Sequence, residues 1–214
     1  MYSAIWEQRA DPPFAFRHGL TRQNLERKIK ELTDQKYAMV YIEGKGGGGR
    51  EKWAGIWEPC TTEFPQVWAG MTAEQFKAKH TELQAKQYSI SNMTAFELNG
   101  QVICGGIWQK ENLPESAVQL NLSVGKFKLA LRKKPAEGFR LSRLCSYMLR
   151  GKDFYSCLWT KQEGPEQEVR TGLATIAAKR VTQQMEKKDM QPKQISVFLQ
   201  GKRLRYSIAY ENNK

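Results

Sequence analysis

Histidine is nearly absent from this sequence, cysteine is sparse, and no long apolar run occurs. The two histidines, His18 and His80, lie far from the four cysteines, Cys60, Cys104, Cys145 and Cys157. No C-x-x-C pair is present, so a zinc site of ordinary ligand spacing finds no support. Histidines at unrelated positions supply no Ser–His–Asp or Cys–His set. The cysteines read as buried thiols, behaving as small apolar side chains. No run approaches the ~20 apolar residues that span a bilayer, so no transmembrane helix is expected. Met1 leads straight into "YSAIWEQ", and no signal peptide is expected. No cofactor and no metal are expected, and the compartment is unassigned.

The chain has 214 residues, of which 40% are hydrophobic, enough to bury a sizeable core. Its formal net charge of +12 is lopsided. Residues 1–107 carry 13 Lys and Arg against 12 Asp and Glu, whereas residues 108–214 carry 21 against 10. A basic second half raises the prospect of an anionic partner.

Four tryptophans set the organisation of the chain. Trp6, Trp57, Trp108 and Trp159 end the runs "YSAIWE", "WAGIWE", "CGGIWQ" and "YSCLWT", each 51 residues from the next, and Tyr210 in "YSIAYE" continues the series. Gly19, Gly70 and Gly172 keep the same spacing, with Asn121 in the third copy. Thr21, Thr72 and Ser123 follow them and read as helix N-caps, while Ala174 breaks the rule. A helical face then follows in each copy: Leu25, Ile29 and Leu32; Phe76, His80 and Leu83; Phe127 and Leu131; Ala178, Val181 and Met185. Tyr37, Tyr88, Phe139 and Met190 open extended stretches such as "YAMVYIEG", which read as strands. A turn and the tryptophan strand complete the unit, and a loop of about a dozen residues leads to the next helix.

The expected fold is therefore an α+β tandem array of four 51-residue helix–strand–strand units, curved or ring-like. The whole chain, 1–214, reads as one repeat domain: a lone motif strand at 1–7, then units at 8–58, 59–109, 110–160 and 161–214.

Within this frame the run Gly44 to Gly49 fits G-x-G-x-x-G but sits between two strands. A dinucleotide loop instead joins a strand to a helix. The run reads as a long, flexible hairpin tip. "SVGK", Ser123 to Lys126, fits the S-x-x-K nucleophile motif of serine β-lactamase-like hydrolases, but S-D-N and K-T-G are missing. Ser123 aligns with the caps Thr21 and Thr72, and Lys126 aligns with the surface positions Asn24 and Gln75. Alternation along the tryptophan strand puts aromatic–small–aromatic residues on one face, as in Trp53, Gly55 and Trp57. That face reads as core, with a row of aromatic slots for sugars or peptides as the alternative.

The sequence "YSAIWE…RHGLT…LERKIKEL…KYAMVYIEG…KWAGIWE" resembles the bacterial tandem repeat domain of about 50 residues found in planctomycete proteins. It is also similar to the N-terminal repeat region of fungal polyglycine hydrolases. The resemblance covers nearly the whole chain, with Asn121 and Ala174 departing from the pattern. In those hydrolases catalysis belongs to a separate serine β-lactamase-like domain, which this chain lacks. The resemblance thus implies a noncatalytic binding or scaffold module, accessory to a catalytic domain.

The expected partner is a peptide, a protein or a glycan. The first alternative is weak, sequence-independent binding of nucleic acid or another polyanion through Arg140, Arg143, Arg150, Lys152, Lys202, Arg203 and Arg205. The second is a serine hydrolase using Ser123 and Lys126.

Overall fold

The computed structural model describes residues 13–110 and 113–212. Each repeat contains one helix and three strands. The first holds β1 (Ala15–Leu20), α1 (Arg22–Asp34), β2 (Tyr37–Gly47) and β3 (Arg50–Pro59). The second holds β4 (Gln66–Thr72), α2 (Ala73–Ala85), β5 (Ser89–Leu98) and β6 (Gln101–Gln109). The third holds β7 (Ser116–Ser123), α3 (Val124–Ala136), β8 (Phe139–Leu149) and β9 (Lys152–Lys161). The fourth holds β10 (Gln167–Ala174), α4 (Thr175–Glu186), β11 (Met190–Gln200) and β12 (Arg203–Asn212). Every repeat folds into its own three-stranded sheet, in the orders β1-β3-β2, β4-β6-β5, β7-β9-β8 and β10-β12-β11. The fold is a mixed α/β repeat in which strands outweigh helices. The lone motif strand expected at Tyr2 to Trp6 lies outside the described residues.

The first strand of each repeat corrects the helix–strand–strand expectation. What read as a loop of about a dozen residues holds β1, β4, β7 or β10, so the unit is strand–helix–strand–strand. Two features hide these strands from pattern reading. They are edge strands, so their burial is partial and their alternation weak. β1, β4 and β10 are also broken by a bulge: the register shifts between Arg17 and Leu20, Trp68 and Met71, and Arg170 and Leu173. At that point Gly19, Gly70 and Gly172 take φ of 69°, 74° and 66°, and Asn121 takes 57°. This left-handed region costs an ordinary L-residue roughly 1–2 kcal/mol, which glycine avoids and asparagine tolerates. The 51-residue glycine series is thus a series of bulges.

The helix faces pack as their periodicity predicts. Leu25 and Leu32, Phe76 and Leu83, Phe127, and Ala178 and Met185 are buried, with Ile29, Leu131 and Val181 partly so. Thr21 Oγ1 accepts from the Asn24 N–H at 3.2 Å, and Thr72 Oγ1 accepts from the Gln75 N–H at 3.3 Å. Gln75 returns the bond through its side chain, closing a capping box. Ser123 stands at the N-cap of α3 but its hydroxyl makes no cap bond, and Ala174 has none to make. That corrects the expectation that Ser123 caps its helix.

The described residues fall into two compact units, one within Arg9–Ser116 and one within Ala117–Lys214, each holding a pair of repeats. In the N-terminal pair, one apolar cluster joins Leu25 and Leu32 of α1, Trp53 and Trp57 of β3, and Phe96, Ile103 and Ile107 of the second sheet. The tryptophan face of the first sheet is therefore covered twice, by its own helix and by the opposite face of the next sheet. The C-terminal pair repeats the arrangement: Phe127, Tyr155 and Trp159 pack with Ala209 and Val169 of the fourth repeat. A hydrogen bond also recurs across each pair. The Gly44 N–H donates to Thr94 Oγ1 at 3.1 Å, and the Ser146 N–H donates to Ser196 Oγ at 2.8 Å.

Candidate functional site

The residues that first suggest binding are interior. Trp53, Trp57, Trp108, Trp159, Tyr155 and Tyr210 are each at most 1% exposed, so the aromatic slots are core. Burial of an indole also buries its N–H, and the repeats satisfy it differently. Trp108 Nε1 donates to His80 Nδ1 at 3.1 Å, and Trp159 Nε1 donates to Gln119 Oε1 at 2.9 Å. Tyr210 shares a bond of 2.8 Å with Thr182, at the repeat position of His80. In the first repeat that position is Ile29, and Trp57 Nε1 has no partner.

His80 is thus a structural acceptor, which requires the neutral ring with its proton on Nε2. Burial pushes its imidazole below the ordinary value of 6.5. The unfolded chain then takes up a proton that the folded chain refuses. The stability from His80 is complete above about pH 6.5 and declines as pH falls toward the depressed folded value, by up to about 1.4 kcal/mol per pH unit. Denaturation midpoints between about pH 5 and 7 should show this slope, and His80→Gln should flatten it. An unchanged slope in that variant would remove His80 from the account.

The catalytic alternatives find their residues in ordinary places. Ser123 starts α3, and Lys126 is exposed on its first turn. His18 is on exposed β1, where its ring stacks on Phe16 with centroids 5.5 Å apart. None of the four cysteines forms a disulfide; Cys104, Cys145 and Cys157 are buried, and burial pushes the Cys157 thiol well above its ordinary value. Among the described residues, no group of three or more His, Cys, Asp or Glu side chains is arranged to hold a metal. No helix among them is long and apolar enough to cross a membrane.

The glycine run is corrected in its turn. β2 extends through Gly47, paired with β3 as far as Arg50, and only Gly48 and Gly49 form the turn, at φ of 58° and 71°. Gly44 and Gly46 lie in the strand and admit the next repeat: an added Cβ would come within 2.3 Å of the Phe96 ring or 2.2 Å of the Glu97 carbonyl oxygen.

The basic residues separate into two groups. Arg140 donates to the Pro165 carbonyl and, at 3.2 Å, to Glu211 Oε1. Arg143 is 8% exposed. Arg205 donates to Gln200 Oε1 at 2.7 Å and to the Gly172 carbonyl at 3.4 Å. These three are built into the C-terminal pair. Arg150, Lys152, Lys202 and Arg203 are exposed at the repeat-equivalent hairpins of the third and fourth sheets.

The accessible aromatics lie elsewhere. Phe14, Phe16 and Trp68 are 59%, 46% and 41% exposed, on or beside β1 and β4 of the N-terminal pair. Phe14, Phe16 and His18 alternate onto one side of β1. Lys79 Nζ sits 4.2 Å from the centroid of the Trp68 ring. A signal for Trp68 was available: its repeat equivalents Arg17 and Arg170 are charged and exposed, which marks a position open to solvent.

The fold and these surfaces define a tandem-repeat module whose repeated residues build its interior. The chain belongs to the family described as polyglycine hydrolase-like structural repeats, whose model matches residues 11–59, 65–111 and 114–162. This agrees with the resemblance carried by the tryptophan and glycine series. The fourth repeat lies beyond the matched segments and has the same element order. No curated protein matches the chain.

Proposed function

We propose that the chain is a noncatalytic binding or scaffold module, accessory to a catalytic domain, that recognises an extended peptide, a protein or a glycan. The observation that supports it is the division among the aromatics. Those of the repeat motif are used up in the core, whereas Phe14, Phe16 and Trp68 are presented to solvent. Exposed aromatics offer flat apolar area with little conformational entropy to lose on binding. A curved or ring-like course of the four repeats belongs to the same proposal, because a small rotation at each step accumulates. Small-angle scattering tests that part.

Two measurements test the function. Glycan and peptide arrays should yield a ligand whose affinity falls at least about tenfold in Phe16→Ala or Trp68→Ala, a loss of about 1.4 kcal/mol. Incubation with a fluorophosphonate and a β-lactam should leave the protein unlabelled. With no cap bond to lose, Ser123→Ala should change stability by less than about 0.5 kcal/mol. A covalent adduct on Ser123 would overturn the noncatalytic reading. The polyanion alternative rests on the exposed hairpin cations Arg150, Lys152, Lys202 and Arg203. It predicts weak duplex binding that salt abolishes.

A further inference from the structure

The helices of the C-terminal pair differ from the other two in what they present outward. α3 carries Lys126, Lys128, Arg132, Lys133 and Lys134 and no acidic residue. At the repeat position of Lys133, α1 has Glu31 and α2 has Glu82, which pair with Lys28 and Lys79 at 2.6 and 2.5 Å. In α3 the acid is replaced by Lys133 and its partner by Ala130, so the neutralising pair is gone. Lys128 and Arg132 stand four residues apart, a like-charge spacing that weakens a helix. The first two repeats fold without this arrangement, so the fold does not require it.

Aliphatic side chains are exposed among these cations. Val124 and Leu129 on α3 are 38% and 44% exposed, and Ile176 on α4 is 87% exposed. Lys179 and Arg180 are exposed on α4 as well. At 100° per residue, Lys128, Leu129, Arg132 and Lys133 share the arc opposite the buried Phe127 and Ala130. Neither α1 nor α2 exposes a large apolar side chain. α3 and α4 are the equivalent helices of the two successive repeats in one compact pair.

A cationic surface studded with aliphatic residues matches the boundary of an anionic bilayer, which supplies both negative charge and hydrocarbon. A nucleic-acid backbone would give Leu129 and Ile176 no complementary surface. Its bases would need accessible stacking aromatics, and the exposed aromatics among the described residues are all in the N-terminal pair. We propose that the outer faces of α3 and α4 form a peripheral docking surface for anionic lipid. Leu129 and Ile176 enter the headgroup boundary, and Lys128, Arg132, Lys133, Lys179 and Arg180 lie over the lipid charge. The proposal uses none of the exposed aromatics on the first strands and stands or falls independently of them.

Flotation of the full chain with phosphatidylcholine vesicles, with and without phosphatidylserine, tests it. Binding is expected only with phosphatidylserine and should weaken as salt rises. Lys128→Gln with Lys133→Gln should weaken partition about thirtyfold, at roughly 1 kcal/mol per cation. Lys128→Arg with Lys133→Arg should retain it, which separates charge from any effect on folding. Leu129→Gln with Ile176→Gln should cost at least about tenfold while leaving the circular dichroism spectrum unchanged. Failure of the full chain to float with phosphatidylserine overturns the proposal. So does duplex DNA binding of equal strength together with indifference of both ligands to the Leu129 and Ile176 changes, which would mark a general polyanion surface.

Discussion

Replacing Trp108 with alanine is expected to destabilise the protein by about 3–5 kcal/mol, the usual cost of emptying a buried large aromatic site. The side chain is fully buried, with its ring 5.3 Å from that of Phe76 between centroids. Since whole domains are held by only about 5–15 kcal/mol, this variant should sit close to unfolding at moderate temperature. Phenylalanine at the same position gives a finer reading. Trp108→Phe removes the donor to His80 Nδ1 and leaves a half-buried acceptor unpaired. Trp57→Phe removes an N–H that has no partner. Both lose similar volume, so Trp108→Phe should be the more costly by about 1 kcal/mol. Urea denaturation midpoints with unchanged slope would measure the difference. Equal losses would mean that the His80 bond contributes nothing.

Gly44→Ala is expected to cost about 1–3 kcal/mol, an overpacking penalty. The added methyl would be 2.3 Å from Phe96 Cε1 and 2.9 Å from Trp53 Cζ3, two ring atoms in the shared core of the N-terminal pair. Neither ring can swing aside without leaving its own packing. Gly47→Ala provides the control, because an added Cβ there meets nothing within 4 Å. That substitution should stay within about 0.5 kcal/mol. If the two alanines cost the same, the close approach of the sheets is not what the glycine serves. The comparison also separates a packing role for the glycine run from a flexible-tip role, which would make Gly47 as sensitive as Gly44.

Much of the architecture could be read from the chain before any coordinates. The 51-residue spacing of Trp57, Trp108, Trp159 and Tyr210 placed them on equivalent strands, and they are equivalent and buried. A helix announces itself through a 3.6-residue apolar period, and Leu25, Phe76, Phe127 and Ala178 obeyed it. The bulge at Gly19, Gly70 and Gly172 was visible as a residue series although not as a bulge. A positive φ leaves a compositional trace, but its place in a sheet leaves none. The first strands were missed for the reason edge strands usually are: each buries too little to show clean alternation.

The surfaces were less legible. Charge counting found the basic half but could not distinguish Arg140, tied to Glu211 and the Pro165 carbonyl, from Arg203, which is exposed. Sequence by itself determined the repeat, the helix faces and the glycine series, because each is a local or periodic property of side-chain chemistry. Only the tertiary structure decided that the first tryptophan face of each pair meets both its own helix and the sheet that follows. It also decided that Gly44 makes room for Phe96 and that Leu129 and Ile176 stand in water among cations. Those facts depend on which segments, some 50 residues apart, come within van der Waals reach, and no local pattern encodes that distance.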